Sequence, residues 1–338
     1  MNGKYSEYDY MFSAAKLAVM STSLAGPEKL EPMVEARTLS EAADRLSEFG
    51  ITPVRTPNGL DVEATLTEFT AGKYALLREF CPDSELVDVC RLRYDCHNVK
   101  TAIKCRALGA DAAKFVIDCG TIPAAQVITA ATEYREGAFG FLPEKMAAAA
   151  DRAVAELDAT GAARTVDVLL DAACFADMKS AADAVGFAPA CELVRRKIDL
   201  TNLLSVLRIG RIRRAETAAS LLADSLVEGG TISTDRLRAA ADPAAVALLA
   251  EEGGFARTAQ AIRTAGTGAS VLETVAAAAD ADFLARVREL THFRQLGAYP
   301  LVAYVIGLEY EIKNVRIILS GKQTGADAQT IRDRLRRG

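Results

Sequence analysis

Three stretches of the chain share one short pattern, in which an acidic residue is followed by two variable residues, asparagine, and valine or leucine. They read RYDCHNVKTAIKCR, RKIDLTNLLSVLRI and LEYEIKNVRIILSGK, and their acidic residues lie 104 and then 112 residues apart. Near-equal spacing of this kind indicates an internal repeat, and we treat the stretches as three copies of one unit. The repeated residues are Asp95 and Asn98, Asp199 and Asn202, and Glu311 and Asn314.

The periodicity around these copies is that of α-helices. Apolar residues advance by four, three, four and three positions from Leu301 to Val315, which places them on one helical face. The segment 236–251 behaves similarly, whereas strand-like runs are limited to 115–117 and 166–170. Alanine and leucine dominate and tryptophan is absent, which favours packed helices over sheets. The sequence therefore predicts an all-α fold with about fifteen helices.

The acid and the asparagine of each copy lie three positions apart, so a helix presents them as neighbours beside the apolar stripe. One interpretation is structural: each pair hydrogen-bonds a neighbouring helix end or an arginine or lysine and fixes how two helices dock. The other makes the acids general acid–base catalysts or metal ligands. We favour the structural interpretation, because a catalytic site assembled once would not need three dispersed copies. More specifically, the structural interpretation predicts that each pair forms hydrogen bonds with polar groups of an adjacent helix.

The third copy ends in a Gly-Lys pair, which invites comparison with a phosphate-binding loop. Such a loop needs glycine five positions before the pair and serine or threonine directly after it. Here those positions hold Arg316 and Gln323, and the preceding residues are helical rather than strand-like. The sequence therefore predicts no nucleotide site at Gly321 and Lys322.

Seven cysteines occur in the chain, an odd number without a CxxC pair, so we expect buried reduced thiols rather than a disulfide framework. The adjacent Cys96 and His97 are the one conceivable seed of a zinc site. Neighbouring residues of a helix point in different directions, which disfavours such a site. We predict no metal, no cofactor and no catalytic residue.

The overall charge and hydropathy restrict the partners and the location. A net charge of −5 argues against a general nucleic-acid binder, which needs an excess of cations to neutralise phosphates. No stretch approaches the roughly 18 uninterrupted apolar residues that would span a bilayer. The N-terminal MNGKYSEYDYMF lacks the features of a signal peptide. These observations predict a cytosolic protein.

One local cluster of cations stands out from the acidic background. Between Arg195 and Arg214 the chain has seven basic residues against one acid, Asp199. The cluster is either a solvated helix surface or a surface that meets a partner or anionic lipid headgroups, where each cation could contribute about 1 kcal/mol. The candidate partner-facing residues are Arg208, Arg211, Arg213 and Arg214.

Taken in order, the three copies resemble the C-subunit family of V/A-type ATPases, relatives of the d subunit of the eukaryotic V-ATPase. The family pattern has a Tyr-x-Tyr-like start, here Tyr8-Asp9-Tyr10, a middle Asp-x-x-Asn-Leu, and an end like E-x-x-N-[IVL]-R-x-I-L before Gly-Lys. The intervening FLPEKM and VDVLLDAACF and the final IRDRLRR also fit. The second copy departs from the other two, with Leu204 where they have Lys100 and Arg316.

The resemblance covers nearly the whole chain and implies three similar helical lobes arranged as a funnel about a pseudo-threefold axis. The lobes would span residues 1–120, 121–225 and 226–338. By the same resemblance the protein would be a non-catalytic central-rotor subunit without a small-molecule substrate. It would join the central-shaft subunits to the membrane proteolipid ring, from the cytoplasmic face of the membrane, and so couple ATP hydrolysis or synthesis to proton or sodium transport.

Two other classes of protein are alternatives to this one. A freestanding helical enzyme would need a convergent acid cluster such as DDxxD or a histidine or cysteine nucleophile arrangement, and neither pattern occurs. A helical adaptor or scaffold without a motor role would be typical of repeats of about 34 to 47 residues. The repeated units of this chain are over twice as long. The adaptor is nevertheless kept as the alternative to the rotor subunit.

Overall fold

The computed structural model describes residues 5–57, 59–211, 221–240, 242–264 and 271–337. Within them, the chain forms fifteen α-helices, three short 3-10 helices and one hairpin of two-residue strands, which confirms the all-α prediction. The α-helices are α1 (Met11–Ser23), α2 (Glu31–Glu35), α3 (Leu39–Asp44), α4 (Val62–Phe80), α5 (Ser84–Leu108), α6 (Ala124–Thr132), α7 (Glu144–Thr160), α8 (Ala163–Val185), α9 (Ala188–Ile209), α10 (Thr234–Ala239), α11 (Pro243–Glu252), α12 (Ala256–Thr264), α13 (Val271–Thr291), α14 (Tyr299–Gln323) and α15 (Ala328–Arg334). The 3-10 helices are Glu7–Tyr10, Arg45–Phe49 and Ala112–Lys114, and the antiparallel strands are β1 (Arg55–Thr56) and β2 (Gly59–Leu60).

The structure corrects three local expectations from the sequence. Residues 166–170 are helical and lie inside α8, where Val166 and Leu170 are both buried one turn apart. Residues 115–117 follow a 3-10 helix and form no strand. The segment 236–251 is divided between α10 and α11, because Pro243 begins α11 and Asp242 caps it by accepting a bond from the Ala245 N–H at 2.8 Å.

The described residues divide into two compact units, one formed from the range 88–264 and the other from the ranges 5–87 and 271–337. The three-lobe division at 1–120, 121–225 and 226–338 stays a prediction.

The first unit has its main core between α5, α6, α7 and α8. Its centre includes Val99, Phe139, Met146 and Leu170, all buried. Beside this core, ion pairs join Lys100 to Asp171 and Lys104 to Asp167. The two lysines lie one turn apart on α5, and the two aspartates lie one turn apart on α8. The earlier lysine pairs with the later aspartate and the later lysine with the earlier aspartate, as antiparallel helices require.

In the second unit α14 packs against α1, α3, α4, α13 and α15. Leu308, Val315 and Ile318 of α14 are fully buried. Small residues let neighbours approach this helix closely: a Cβ at Gly307 would overlap Leu24, and one at Gly321 would overlap Ile331 of α15. Among the described helices of both units, none has the length and hydropathy of a membrane span.

Candidate functional site

The acid–asparagine pairs lie in the middle of three long helices and are buried. Asp95, Asn98, Asp199 and Asn202 are 0% exposed, and Glu311 and Asn314 are 3% and 1% exposed. The pairs of α5 and α9 belong to the first compact unit, and the pair of α14 belongs to the second. These polar residues therefore interrupt apolar helix faces, and each needs hydrogen-bond partners inside the protein.

Each asparagine makes the same two-point contact with the backbone of one residue. The Asn98 Nδ2 donates to the Ile117 carbonyl at 2.8 Å, and the Ile117 N–H donates to Asn98 Oδ1 at 2.8 Å. Asn202 makes the same two bonds with Val227, both at 2.8 Å. Asn314 does so with Arg336, at 3.0 and 2.7 Å. In each copy a side-chain amide thus satisfies both backbone groups of one buried or half-buried residue that lies outside the helices.

The acids of the first two copies also bind backbone, a few residues further along the same segment. Asp95 accepts from the Thr121 N–H at 3.0 Å, the Thr121 hydroxyl at 2.6 Å and the Ile122 N–H at 3.0 Å. Asp199 accepts from the Thr231 N–H at 2.9 Å, the Thr231 hydroxyl at 2.5 Å and the Ile232 N–H at 2.9 Å. The partners are segments that lead into α6 and α10, whereas the sequence interpretation named polar groups of an adjacent helix.

A second repeated sequence, Gly-Thr-Ile, supplies these contacts and was not among the residues predicted from the sequence. It occurs at residues 120–122 and again at 230–232. A Cβ added at Gly120 would overlap the Asp95 carboxylate, and one at Gly230 would overlap that of Asp199. Glycine is required there because the backbone approaches the carboxylate closely. Searching for a repeat downstream of each acid–asparagine pair would have found this signal.

The third copy uses a different partner for its acid. Glu311 Oε1 accepts from the backbone N–H of Ala25 at 2.7 Å, in the connection between α1 and α2. In the first two copies the residue that binds the acid follows the residue that binds the asparagine by four positions. In the third, the two partners are Arg336 and Ala25, at opposite ends of the sequence.

Burial disfavours the charged forms of Glu311 and Asp95. It raises the pKa of Glu311 to about 7, although the Ala25 N–H and the charges of Lys73 and Lys29 act in the opposite direction. Burial also raises the pKa of Asp95, against its bonds to Thr121 and Ile122. A further acid of α14, Glu309, has its pKa raised by burial to about 8 and accepts a hydrogen bond from the Tyr74 hydroxyl.

The position that follows each acid by five residues carries a cation in two copies. Lys100 pairs with Asp171 at 2.6 Å, and Arg316 makes two bonds to Glu63 at 3.0 Å each. The second copy has Leu204 there. These pairs are partly exposed and contribute at most about 1 kcal/mol each, so the departure of the second copy costs little stability.

The other residues singled out in the sequence have separate positions. Gly321 and Lys322 lie in the last turn of α14, and the Lys322 ammonium donates to the Val34 carbonyl at 2.6 Å. Arg208 and Arg211 are exposed at the end of α9, while Arg213 and Arg214 lie outside the described residues. Nearby, Arg196 donates to the Gly254 carbonyl at 3.1 Å.

Cysteine and histidine side chains do not converge on a metal site. The Cys96 thiol points to the Leu170 carbonyl at 3.4 Å, and the His97 Nε2 lies 3.1 Å from the Phe115 carbonyl. All seven cysteines are free thiols. In the part of the chain that the structure describes, no group of three or more cysteine, histidine or acidic side chains could hold a metal ion.

Comparison with known proteins confirms the resemblance. Residues 13–334 match the model of the family described as ATP synthase (C/AC39) subunit. The C subunit of the A-type ATP synthase of Thermococcus onnurineus is 23% identical over 350 aligned positions, which cover 98% of this chain and 90% of that protein. The C subunit of the V-type sodium ATPase of Enterococcus hirae is 21% identical over 285 positions, covering 82% of each chain.

The two-point contact of Asn314 leads to a first prediction. Replacing Asn314 with leucine leaves the N–H and C=O of the half-buried Arg336 without their partner, and we expect a loss of about 1–3 kcal/mol in the free energy of unfolding. Chemical denaturation measures this loss. Gln323→Leu, at the exposed end of the same helix, is the control and should change little. Unchanged stability in Asn314→Leu would contradict a structural role.

The close approach at Gly230 leads to a second prediction. In Gly230→Ala, the new methyl group overlaps the Asp199 carboxylate, and we expect a loss of about 1–3 kcal/mol from forced repacking. Gly72→Ala is the matched control, because a Cβ at this helical position in α4 meets nothing within 4 Å. That substitution should stabilise the protein by about 0.5–1 kcal/mol. Equal unfolding midpoints for the two variants would refute the contact.

Proposed function

Since the chain belongs to the ATP synthase (C/AC39) subunit family, we propose that it is a non-catalytic central-rotor subunit of a rotary V/A-type ATPase. In this role it joins the central-shaft subunits to the membrane proteolipid ring and passes torque between them. ATP hydrolysis or synthesis elsewhere in the complex is thereby coupled to proton or sodium transport. The protein sits on the cytoplasmic face of the membrane as a peripheral subunit.

The observation that carries the proposal is the family match over residues 13–334, supported by two relatives named as the C subunits of an A-type ATP synthase and of a V-type sodium ATPase. A match over nearly the full length concerns the architecture as a whole rather than one shared motif. The proposed architecture is the funnel of three similar lobes, each built around one of the helices α5, α9 and α14.

The environment of the repeated polar residues supports a role without catalysis. The carboxylates of Asp95, Asp199 and Glu311 are buried, and each accepts hydrogen bonds from backbone groups. A general acid or base must reach the proton it transfers in a bound substrate. Acids that hold connecting segments in the interior are suited to stiffening a part that transmits torque.

The exposed cations at the end of α9 are proposed as a partner-facing surface. Arg208 and Arg211 project from this end, and Arg213 and Arg214 follow in the sequence. Anionic lipid headgroups beside the ring, or acidic residues of the shaft, would complement them. A solvated surface is the other interpretation of the same residues.

A helical adaptor without a motor role is the alternative function, and co-purification separates it from the proposal. Tagged protein, expressed in its own cells and isolated from detergent-solubilised membranes, should bring both shaft subunits and the proteolipid ring. A tagged, unrelated helical protein of similar charge is the control. Recovery of a stable set of partners without any rotor component would contradict the motor role and favour the adaptor.

The second test concerns nucleotide. We predict that the purified chain neither hydrolyses nor binds ATP, because Gly321 is packed against Ile331 and the Lys322 ammonium is engaged by the Val34 carbonyl. Titration calorimetry with magnesium-ATP measures binding directly. Saturable binding that is lost in Lys322→Ala would contradict this prediction.

A further inference from the structure

The third acid–asparagine pair differs from the other two in the bonds that its acid accepts. Asp95 and Asp199 each accept from two backbone N–H groups and one threonine hydroxyl. For Glu311 the described residues supply one donor, the Ala25 N–H. Glu311 is nonetheless only 3% exposed. Its carboxyl group is therefore removed from water, but it lacks the set of hydrogen-bond donors that offsets the cost of burying the other two acids.

The segment bound by Glu311 is short and rests on α14 at two successive turns. Leu24 packs against Gly307, and Ala25 donates to Glu311 one turn later. Beyond these contacts the segment continues through Gly26 and Pro27, and the Lys29 N–H bonds back to the Gly26 carbonyl at 3.0 Å. The hydrogen bond from Ala25 to Glu311 is thus a polar attachment of this segment to α14, next to an apolar contact.

The groups that act on the Glu311 carboxyl come from three elements. In the described chain they are Lys73 of α4, Lys29 of the bound segment and Tyr304 of α14 itself. Both lysines favour the ionised carboxylate. The Tyr304 side chain is 1% exposed, and its hydroxyl has no hydrogen-bond partner among the described residues. Burial outweighs the two cations and holds the pKa of Glu311 near 7.

We propose that Glu311 and Ala25 form a proton-sensitive latch, in which protonated Glu311 keeps residues 24–30 closed on α14 and ionised Glu311 favours opening of this segment to water. Ionisation releases one proton from the Glu311 carboxyl group to the solvent. The resulting charge has one hydrogen-bond donor in the closed state. Opening lets water hydrate the carboxylate, which removes the cost of its burial.

The direction of the effect follows from proton linkage. In the closed state the pKa of Glu311 is about 7, and in a hydrated open state it returns toward the ordinary value of 4.5. The closed state therefore binds the proton more tightly. As the pH rises between these two values, the ratio of closed to open segment falls by up to tenfold per pH unit. Above the closed-state pKa of about 7, the ratio of closed to open segment stays constant.

Hydrogen–deuterium exchange of the full chain, resolved to the Ala25 amide and corrected for intrinsic exchange rates, tests the latch. Between about pH 5.5 and about pH 8 we expect the protection factor of this amide to fall on the order of tenfold to thirtyfold. Glu311→Gln keeps an acceptor oxygen for the Ala25 N–H and cannot ionise, so its protection should remain high at both values. The Thr231 and Ile232 amides, which Glu311 does not contact, serve as the internal control for changes of exchange with pH elsewhere in the chain.

A second variant ties the effect to Glu311 rather than to another acid such as Glu309. Lys73→Met removes a cation that favours the ionised form, so the midpoint of the protection profile should move to higher pH. Constant protection of Ala25 in the parent protein would overturn the latch, as would a fall that persists in Glu311→Gln or a midpoint unmoved in Lys73→Met. If one variant fails to fold, the other still ties the fall to Glu311, and constant protection of Ala25 in the parent protein overturns the latch without either variant.

Discussion

The two-point hydrogen bond between an asparagine side chain and the backbone of one residue is the contact on which the connections of this fold depend. Long helices satisfy their own backbone groups, but the segments that follow them do not. The residues bound in those segments are buried or half-buried, and a buried N–H or C=O that is left unpaired costs about 1–3 kcal/mol. Asn98, Asn202 and Asn314 supply both missing partners at once, to Ile117, Val227 and Arg336. This need explains why a poor helix former recurs in the middle of three apolar helices.

The sequence predicted the helices and the positions of the polar pairs but not what the pairs bind. Helical periodicity and the repeat identified α5, α9 and α14, because both signals are local. The partners of the pairs are backbone groups, which any residue provides, so nothing in the composition of Ile117 or Val227 reveals them. The contact from Glu311 to Ala25 spans 286 residues and leaves no local trace. The apolar run at 166–170 is strand-like in sequence and helical in the structure, because over five residues periodicity does not separate a strand from a buried helix turn.

The three copies share the asparagine contact and differ in the hydrogen-bond donors that their acid binds. The asparagine contact is therefore common to all three, whereas the role of the acid in the third copy is specialised. In the first unit, Gly-Thr-Ile segments surround Asp95 and Asp199 with donors. In the second unit, Glu311 holds a segment from the start of the chain through one donor, and its pKa lies near neutrality. In the proposed rotor subunit, the first arrangement would stiffen the connections under torque. The second would make one connection responsive to protons.

An experimental structure of the protein within its rotary ATPase complex tests the central claim most directly. Its resolution must be high enough for hydrogen-bond geometry to distinguish side-chain oxygen from nitrogen. We expect Asn98, Asn202 and Asn314 each to face the N–H and C=O of one residue outside the helices. We also expect α5, α9 and α14 to superimpose as equivalent helices of three lobes. Asparagine side chains turned to a partner protein or to solvent, or pairs in helices that do not superimpose, would contradict this claim.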